Sequence, residues 1–192
     1  MIIALMGKKR AGKDYLAQGL IAAFHDMHDM QVERRAFADA MKEMLAQELG
    51  VKQCIFHSDA KDHLLFDVIS NQLVDEASET TVTVRELLQQ YGSSMRAMHG
   101  EDIWVDSMLC TMDKDKHYIV TDTRMLNEYK RLKSLGAVFV RVIDPKLKSN
   151  DTHVSETELD AMPADYTSIN DKSKANMVEI IELSNELMKS WT

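Results

Sequence analysis

The sequence predicts an α/β protein in which a parallel sheet of about five strands is covered by helices. Short apolar runs alternate with segments that have apolar residues at helical spacing, an order typical of parallel sheets. The first run, residues 2–6, is continuously apolar, as expected of a strand buried on both faces. It ends at Gly7, and a helix follows within a few residues. The 192 residues suffice for one domain with a proper core.

The elements follow from these patterns. Five runs are predicted as strands, and they comprise residues 2–6, 31–37, 117–122, 137–144 and 165–170. Helices are predicted over residues 13–29, 39–49, 61–77, 84–99, 101–112, 127–136 and 174–190. Thr83 and Glu86 match a capping box at a helix start, and Gly50 and Gly136 follow helix ends. The sequence TTVT at 80–83 is expected to be a loop.

We expect these elements to form a single domain with three parts. The core comprises residues 1–37, 114–144 and 165–192, and a helical insertion for a second ligand comprises residues 38–113. A lid-like loop at 145–164 is polar and holds both prolines of the chain. In such folds ligands bind at the carboxyl ends of the strands, so the site is expected there.

The composition excludes several classes of protein. The net charge of −8 argues against a general binder of nucleic acid or membrane surfaces, although a local cluster of Arg and Lys still permits a small anionic substrate. Cys54 and Cys110 lie in no CxxC pattern, which favours reduced thiols in a cytoplasmic protein. No apolar run approaches the roughly 20 residues of a membrane span, and the first residues do not resemble a signal peptide. The final amphipathic helix offers a face on which a homodimer could form, and the sequence leaves the oligomeric state open.

A phosphate-binding loop is predicted at the start of the chain. Gly7, Gly12 and Lys13 have the spacing GxxxxGK between a strand and a helix. The glycines let successive N–H groups point inward as an anion nest, the helix adds its N-terminal dipole, and Lys13 reaches the outer phosphates. The residues expected to bind a nucleotide are Gly7, Lys8, Lys9, Arg10, Ala11, Gly12, Lys13, Asp14 and Tyr15.

Two acids are candidates for a metal. Asp14 occupies the position at which such loops normally carry Ser or Thr. Its carboxylate suits Mg²⁺, directly or through water, or it only favours the helix dipole. Asp122 ends a predicted strand and is the second candidate, with a helix N-cap as the alternative. Arg124 follows two residues later and is suited to neutralise a phosphate group in transfer.

Several separated segments together resemble one family. They are GKKRAGKD at 7–14, FADAMKE at 37–43, LLQQYGSSMR at 87–96, DIWVDSML at 102–109, VTDTRMLNE at 120–128, GAVFVRVID at 136–144 and DTHVSE at 151–156. In this order they resemble the phage-type deoxynucleoside monophosphate kinases, P-loop proteins related to the adenylate-kinase-like fold. A loop with aspartate after the lysine is a mark of that group, so Asp14 supports the resemblance.

The resemblance implies an enzyme that transfers phosphate from ATP, with Mg²⁺, to a deoxynucleoside monophosphate. It implies that Lys13, Arg96, Asp122 and Arg124 are catalytic and that Asp14 and Asp122 hold the metal. The monophosphate is expected to bind to Asp39, Lys42, Arg85, Gln89, Arg96, Trp104, Arg124 and Glu128. The alternative for the arginines and the Asp39–Lys42 pair is an ordinary surface side chain, and for Trp104 a core residue.

Two other functions stay open from the sequence. Animal-type phosphomevalonate kinases carry a similar loop and an SDTR-like strand end, where this chain has TDTR at 121–124. A nucleotide-binding switch or ATPase without an acceptor needs no second anion site, so the long insertion argues against it. The base preference depends on a few hydrogen bonds in the insertion that the sequence does not place.

Overall fold

A computed structural model describes residues 1–57, 59–147, 161–171 and 176–190. The chain divides into a core unit, residues 1–36 and 111–192, and an insertion unit, residues 37–110. Most of the segment predicted as a lid, residues 148–160, lies outside the described residues. Within the described ranges, no helix combines the length and the apolar character that crossing a membrane requires.

In chain order the elements are β1 (Ile2–Met6), α1 (Lys13–His28), β2 (Val32–Arg35), α2 (Phe37–Leu49), two short 3₁₀ helices (Gln53–Phe56 and Asp59–Asp62), β3 (Leu65–Asp67), β4 (Gln72–Val74), β5 (Thr81–Thr83), α3 (Val84–His99), α4 (Ile103–Leu109), β6 (His117–Thr123), α5 (Leu126–Ser134), β7 (Val138–Ile143), β8 (Tyr166–Ile169) and α6 (Asn176–Lys189).

The core unit is built on a five-stranded sheet with the order β2-β6-β1-β7-β8. All neighbouring strands in it run parallel, so the predicted parallel sheet is confirmed. Ile3 and Leu5 of the central strand β1 are fully buried and belong to one hydrophobic cluster with Leu20 of α1 and Leu187 of α6. Because both faces of β1 are covered, its sequence is continuously apolar rather than alternating.

A β-bulge interrupts β6 near its carboxyl end. Ala4 pairs with Val120, but Met6 pairs with Thr123, so β6 has one extra residue between the two pairs. Bulges of this kind turn side chains away from the regular alternation and are common beside active sites. The bulge contains Asp122, one of the acids expected at the site.

The insertion unit combines helices with a small antiparallel sheet of order β4-β3-β5. Phe56, Phe66, Val84 and Leu88 are buried together in its hydrophobic cluster with residues of α2. The predicted helix at 84–99 is confirmed. Its capping box is also confirmed, because Thr83 Oγ1 accepts from the Glu86 backbone N–H while the Glu86 carboxylate accepts from Thr83.

The helix predicted at 61–77 is wrong, and so is the loop predicted at TTVT. Most of this segment forms the β3–β4 hairpin, and β5 pairs with β3. The Asp67 carboxylate accepts hydrogen bonds from the backbone N–H groups of Ile69 and Ser70, which favours a turn over a continuing helix. Asn71 has a φ of 59°, a left-handed conformation that no helix interior tolerates.

Candidate functional site

The loop between β1 and α1 folds around the side chain of its own lysine. Lys13 is 6% exposed, and its Nζ donates hydrogen bonds to the carbonyl oxygens of Gly7 at 2.6 Å and Lys8 at 2.9 Å. The backbone N–H of Ala11 closes a turn on the Lys8 carbonyl at 3.1 Å. The positive end of Lys13 is therefore held at the mouth of the loop, where it can exchange these carbonyl oxygens for those of a phosphate.

Two glycines are required by the packing of this loop. A Cβ on Gly7 would overlap with the backbone carbonyl of Val142 on β7. Gly12 has a φ of 97°, and a Cβ there would overlap with the Asn170 carboxamide. The spacing of five positions between Gly7 and Gly12 thus places both glycines where the backbone passes close to its neighbours.

Asn170 is a residue at this loop that the sequence analysis did not single out. It is 6% exposed, and its Nδ2 donates to the Ala11 carbonyl oxygen at 3.0 Å. It follows β8 directly, at the carboxyl edge of the sheet. Its place at the end of a predicted strand indicated a position at the edge of the sheet where ligands bind. The contact with Ala11 itself joins residues 159 positions apart, so local sequence patterns do not predict it.

Asp14 lies in the first turn of α1 with a side chain that is 74% exposed. Its Oδ1 is 3.6 Å from Nε of Arg34, a residue of β2 that the sequence analysis also did not select. This loose ion pair leaves the carboxylate accessible. The structure therefore places Asp14 beside the loop with an accessible carboxylate.

The end of β6 brings Asp122, Thr123 and Arg124 to the same edge of the sheet as the loop, since β6 is the neighbour of β1. Asp122 and Arg124 are half-buried. Thr123 is fully buried, and among the described residues its Oγ1 has no hydrogen-bond partner. A polar atom of this kind is consistent with an edge built to bind a polar ligand or ordered water.

Glu128 acts on the backbone of the β6–α5 loop. It is 5% exposed, and its Oε2 accepts hydrogen bonds from the backbone N–H of Arg124 at 2.7 Å and of Met125 at 2.9 Å. The carboxylate thereby satisfies two donors at the start of α5. This geometry favours a positioning role for Glu128 over the predicted direct contact with substrate.

In the insertion unit, α2 carries Asp39 and Lys42 one turn apart. Lys42 Nζ lies 3.9 Å from Asp39 Oδ1 and 3.5 Å from Nδ1 of His57. The Lys42 side chain is only 15% exposed, which is uncommon for a plain surface lysine. His57 was not among the expected site residues, because no motif connects it to α2.

Helix α3 presents Arg85, Gln89 and Arg96 on one face, as their spacing of four and seven residues requires. Gly92 lies on that face too, and Met41 of α2 packs so closely there that a Cβ on Gly92 would lie 2.8 Å from its Sδ. The two helices that carry most of the expected acceptor-binding residues are thus in contact. Arg85 forms an ion pair with Asp62, whereas Gln89 is exposed and Arg96 is half-buried.

Trp104 packs as a core residue. It is 2% exposed, and its Nε1 donates to the Gly92 carbonyl at 3.3 Å. Its ring lies 6.2 Å from that of Tyr91, whose hydroxyl donates to Glu48 at 2.7 Å. Burial, together with this carboxylate, raises the pKa of Tyr91 to about 12. Burial leaves Trp104 no open face for a ligand, which favours the core-residue alternative over the expected contact with the monophosphate.

The donor set is compatible with Mg²⁺ bound together with a nucleotide. Among the described residues, no group of three or more His, Cys, Asp or Glu side chains could hold a metal alone. Mg²⁺ commonly takes only one or two carboxylates and completes its shell with phosphate oxygens and water. Asp14 in the first turn of α1 and Asp122 near the end of β6 match that number of carboxylates.

The fold and the site define a class. A parallel sheet carries a glycine loop, a lysine and a helix N-terminus at one edge. The neighbouring strand has an acid near its end, and an arginine directly follows it. These features describe a phosphate-binding protein of the P-loop α/β class.

The particular family follows from sequence comparison. The family model described as deoxynucleotide monophosphate kinase matches residues 28–181. The chain therefore belongs to the deoxynucleotide monophosphate kinase family. The match begins after the glycine loop, so the loop is independent support for the same class.

Three relatives carry this description in their names. The deoxynucleotide monophosphate kinase of Enterobacteria phage T4 is 29% identical over 127 residues, which are 62% of this chain and 52% of the relative. That of Escherichia phage RB69 is 32% identical over 66 residues, 34% of this chain and 27% of the relative. A protein of Acanthamoeba polyphaga mimivirus is 24% identical over 191 residues, 90% of each chain. The chain thus spans about half the length, or less, of the two phage proteins.

Proposed function

We propose that this protein catalyses the transfer of phosphate from ATP to a deoxynucleoside monophosphate, giving ADP and the deoxynucleoside diphosphate. The observation that carries the proposal is the glycine loop with its buried Lys13, in a chain that belongs to the deoxynucleotide monophosphate kinase family. Phosphoryl transfer requires positioning and charge neutralisation rather than covalent chemistry by the protein. Both units carry the residues for those tasks.

The core unit is suited to bind the triphosphate. The backbone N–H groups at Gly12 and Lys13 and the dipole of α1 favour anionic phosphates, and Lys13 adds a positive charge. Asp14 and Asp122 would hold Mg²⁺, which when bound neutralises phosphate charge and aligns the outer phosphates. The guanidinium of Arg124 would stabilise charge on the transferred group, with its backbone held by Glu128.

The insertion unit is suited to bind the acceptor monophosphate. Lys42 and Arg96 provide positive charge on two helices that are in contact. Asp39 offers an acceptor for a sugar hydroxyl or a base amine. Arg85 contributes to this site in the proposal only through its ion pair with Asp62, which ties α3 to the second 3₁₀ helix.

A coupled assay of ADP release tests the proposal. The purified protein is given ATP and Mg²⁺ with dAMP, dCMP, dGMP, dTMP or phosphomevalonate in turn. We expect at least one deoxynucleotide to raise ADP release well above ATP alone. A signal only with phosphomevalonate, or ATP hydrolysis that no acceptor changes, would overturn the proposal. Light scattering on the same sample measures whether the protein is a monomer or a homodimer.

A further inference from the structure

We propose that Asn170 is a positioning residue for phosphate binding, which acts by fixing the orientation of the Ala11–Gly12 peptide in the glycine loop. This inference rests on the proposed function, because it assigns a role in binding ATP. Asn170 directly follows β8 and is 159 positions away in the sequence from the residue that it contacts.

The direction of the hydrogen bond is set by chemistry. The Ala11 carbonyl oxygen can only accept, so the Asn170 atom 3.0 Å away must be the amide nitrogen, which donates. The peptide bond is planar and trans, so the Ala11 carbonyl and the Gly12 N–H point in opposite directions. Holding the carbonyl toward Asn170 therefore directs the Gly12 N–H to the other side of the peptide.

That N–H belongs to the run of backbone donors that forms an anion nest in a loop of this spacing. Gly12 has a φ of 97° and no Cβ, so its backbone has more conformational freedom than that of any other residue type. A peptide next to such a residue flips at low cost unless something holds it. Asn170 supplies the restraint, and its carboxamide also fills the space that a Cβ on Gly12 would need.

Asn170 is itself firmly placed. Its backbone N–H donates to the Ile143 carbonyl at 2.7 Å, which continues the pairing of β7 with β8 by one residue. Its side chain is 6% exposed, so water competes little for its donor. The sheet thus acts as a rigid support from which one amide group reaches the loop.

The test compares Asn170→Asp and Asn170→Ala with the wild type by calorimetric titration of ATP and Mg²⁺. Aspartate has nearly the same shape but, when ionised, lacks the donor and places a carboxylate against the Ala11 carbonyl. We expect it to weaken ATP binding by about tenfold or more at pH 8. The Ala variant should weaken binding less, because no repulsion is added. Asn71→Asp, on the exposed β3–β4 hairpin, controls for the added charge and should bind ATP as the wild type does.

The pH dependence separates positioning from general structural support. Toward pH 4, close to the ordinary aspartate pKa of about 3.9, a growing fraction of the Asn170→Asp carboxyl is protonated and can donate to the Ala11 carbonyl. The ratio of Asn170→Asp to wild-type affinity should therefore recover as the pH falls toward 4, whereas the ratio for Asn170→Ala should not. Equal ATP affinity in all three proteins would overturn the inference. A loss of ATP affinity in both variants with no recovery at low pH would also overturn the inference. The same holds for a loss of affinity that accompanies unfolding in circular dichroism. If the wild type binds no ATP, the proposed function fails instead.

Discussion

Glu128 holds the backbone of Arg124 in place: its Oε2 lies 2.7 Å from the Arg124 nitrogen and 2.9 Å from that of Met125. Through these two hydrogen bonds, a residue in the first turn of α5 stabilises the loop at the carboxyl edge of the sheet. It also separates two roles at the end of β6, since Arg124 carries the charge and Glu128 sets where its backbone lies.

Replacing Glu128 by Ala should therefore affect both stability and turnover. Two backbone donors lose a buried charged acceptor, which we expect to lower the free energy of unfolding by about 2–3 kcal/mol. Glu128→Gln keeps a carbonyl oxygen and should recover most of the stability. Urea unfolding and kcat for the best acceptor measure the two effects. Turnover unchanged in Glu128→Ala would contradict the positioning role.

Lys13→Ala should abolish phosphoryl transfer while the fold survives. The mutation removes the positive charge held by the Gly7 and Lys8 carbonyls, and we expect kcat to fall by about 100-fold or more. Lys130→Ala, on the exposed side of α5, is the matched control and should keep wild-type turnover. The ADP-release assay gives the rates, and circular dichroism confirms folding. Comparable rates in both variants would count against the loop as the ATP site.

Gly12→Ala should weaken ATP binding more than backbone strain alone explains. The added Cβ has to displace the Asn170 carboxamide from the Ala11 carbonyl. Gly136→Ala provides the control, because Gly136 also has a positive φ, 75°, but open space around its missing Cβ. Each change strains the backbone by about 1–2 kcal/mol, so the midpoint temperature of thermal unfolding should fall in both variants. Only Gly12→Ala should lose ATP affinity in a calorimetric titration. A similar loss of affinity in both variants would contradict the role of the Asn170–Ala11 hydrogen bond.

Trp104→Phe should reduce stability without changing acceptor affinity. The mutation removes the hydrogen bond to the Gly92 carbonyl and some packing volume, and we expect a loss of about 1–3 kcal/mol. Because the ring is buried, KM for the deoxynucleotide should stay within about twofold, a small change of roughly 0.4 kcal/mol. A large rise in KM with kcat unchanged would contradict this expectation and would show that Trp104 contacts the bound deoxynucleotide.

The β3–β4 hairpin should lose stability in acid through Asp67. Hydrogen bonds from the Ser70 backbone and then from the Thr80 hydroxyl hold the pKa of Asp67 below its ordinary value of 3.8. A lowered native pKa means that the carboxylate stabilises the fold above that ordinary value, and the contribution is lost as pH falls below it.

The measurement is urea unfolding of the wild type and of Asp67→Asn from pH 7 to pH 3. The wild type should be more stable at pH 7, and the difference should shrink toward pH 3. Asp75→Asn, an exposed change after β4, is run in parallel to remove the general effect of acid. A difference that stays constant with pH would contradict the role of the Asp67 carboxylate.

Local patterns predicted most of the core unit. Mostly apolar runs mark β1, β6 and β7, because both faces of a parallel sheet are covered. The glycine loop has a spacing that follows from the shape of an anion nest. The capping box at Thr83 was also readable, since its two hydrogen bonds join residues three apart. In each case the physical cause lies within a few residues of chain.

The hairpin at 65–74 could not be predicted in the same way. Leu65, Phe66, Val68 and Ile69 suit a helix or a strand equally in so short a run, and turn formation depends on the Asp67 side chain. Pairing of β3 with β5 then brings Phe66 into a cluster with residues of α2 and α3. The burial of Phe66 in the tertiary structure, rather than local propensity, therefore determines that this segment forms the strand β3.

The sequence by itself determined the strands of the sheet, the glycine loop, the acid near the end of β6 and the arginine directly after it, because each is encoded by neighbouring residues. Only the tertiary structure decided that Asn170 donates a hydrogen bond to the loop, that Glu128 accepts hydrogen bonds from the backbone after β6, and that Trp104 is buried. These roles depend on which groups of distant or adjacent elements come within hydrogen-bonding distance. That is set by packing of the whole sheet and of the helices against it, and no local spacing reports it.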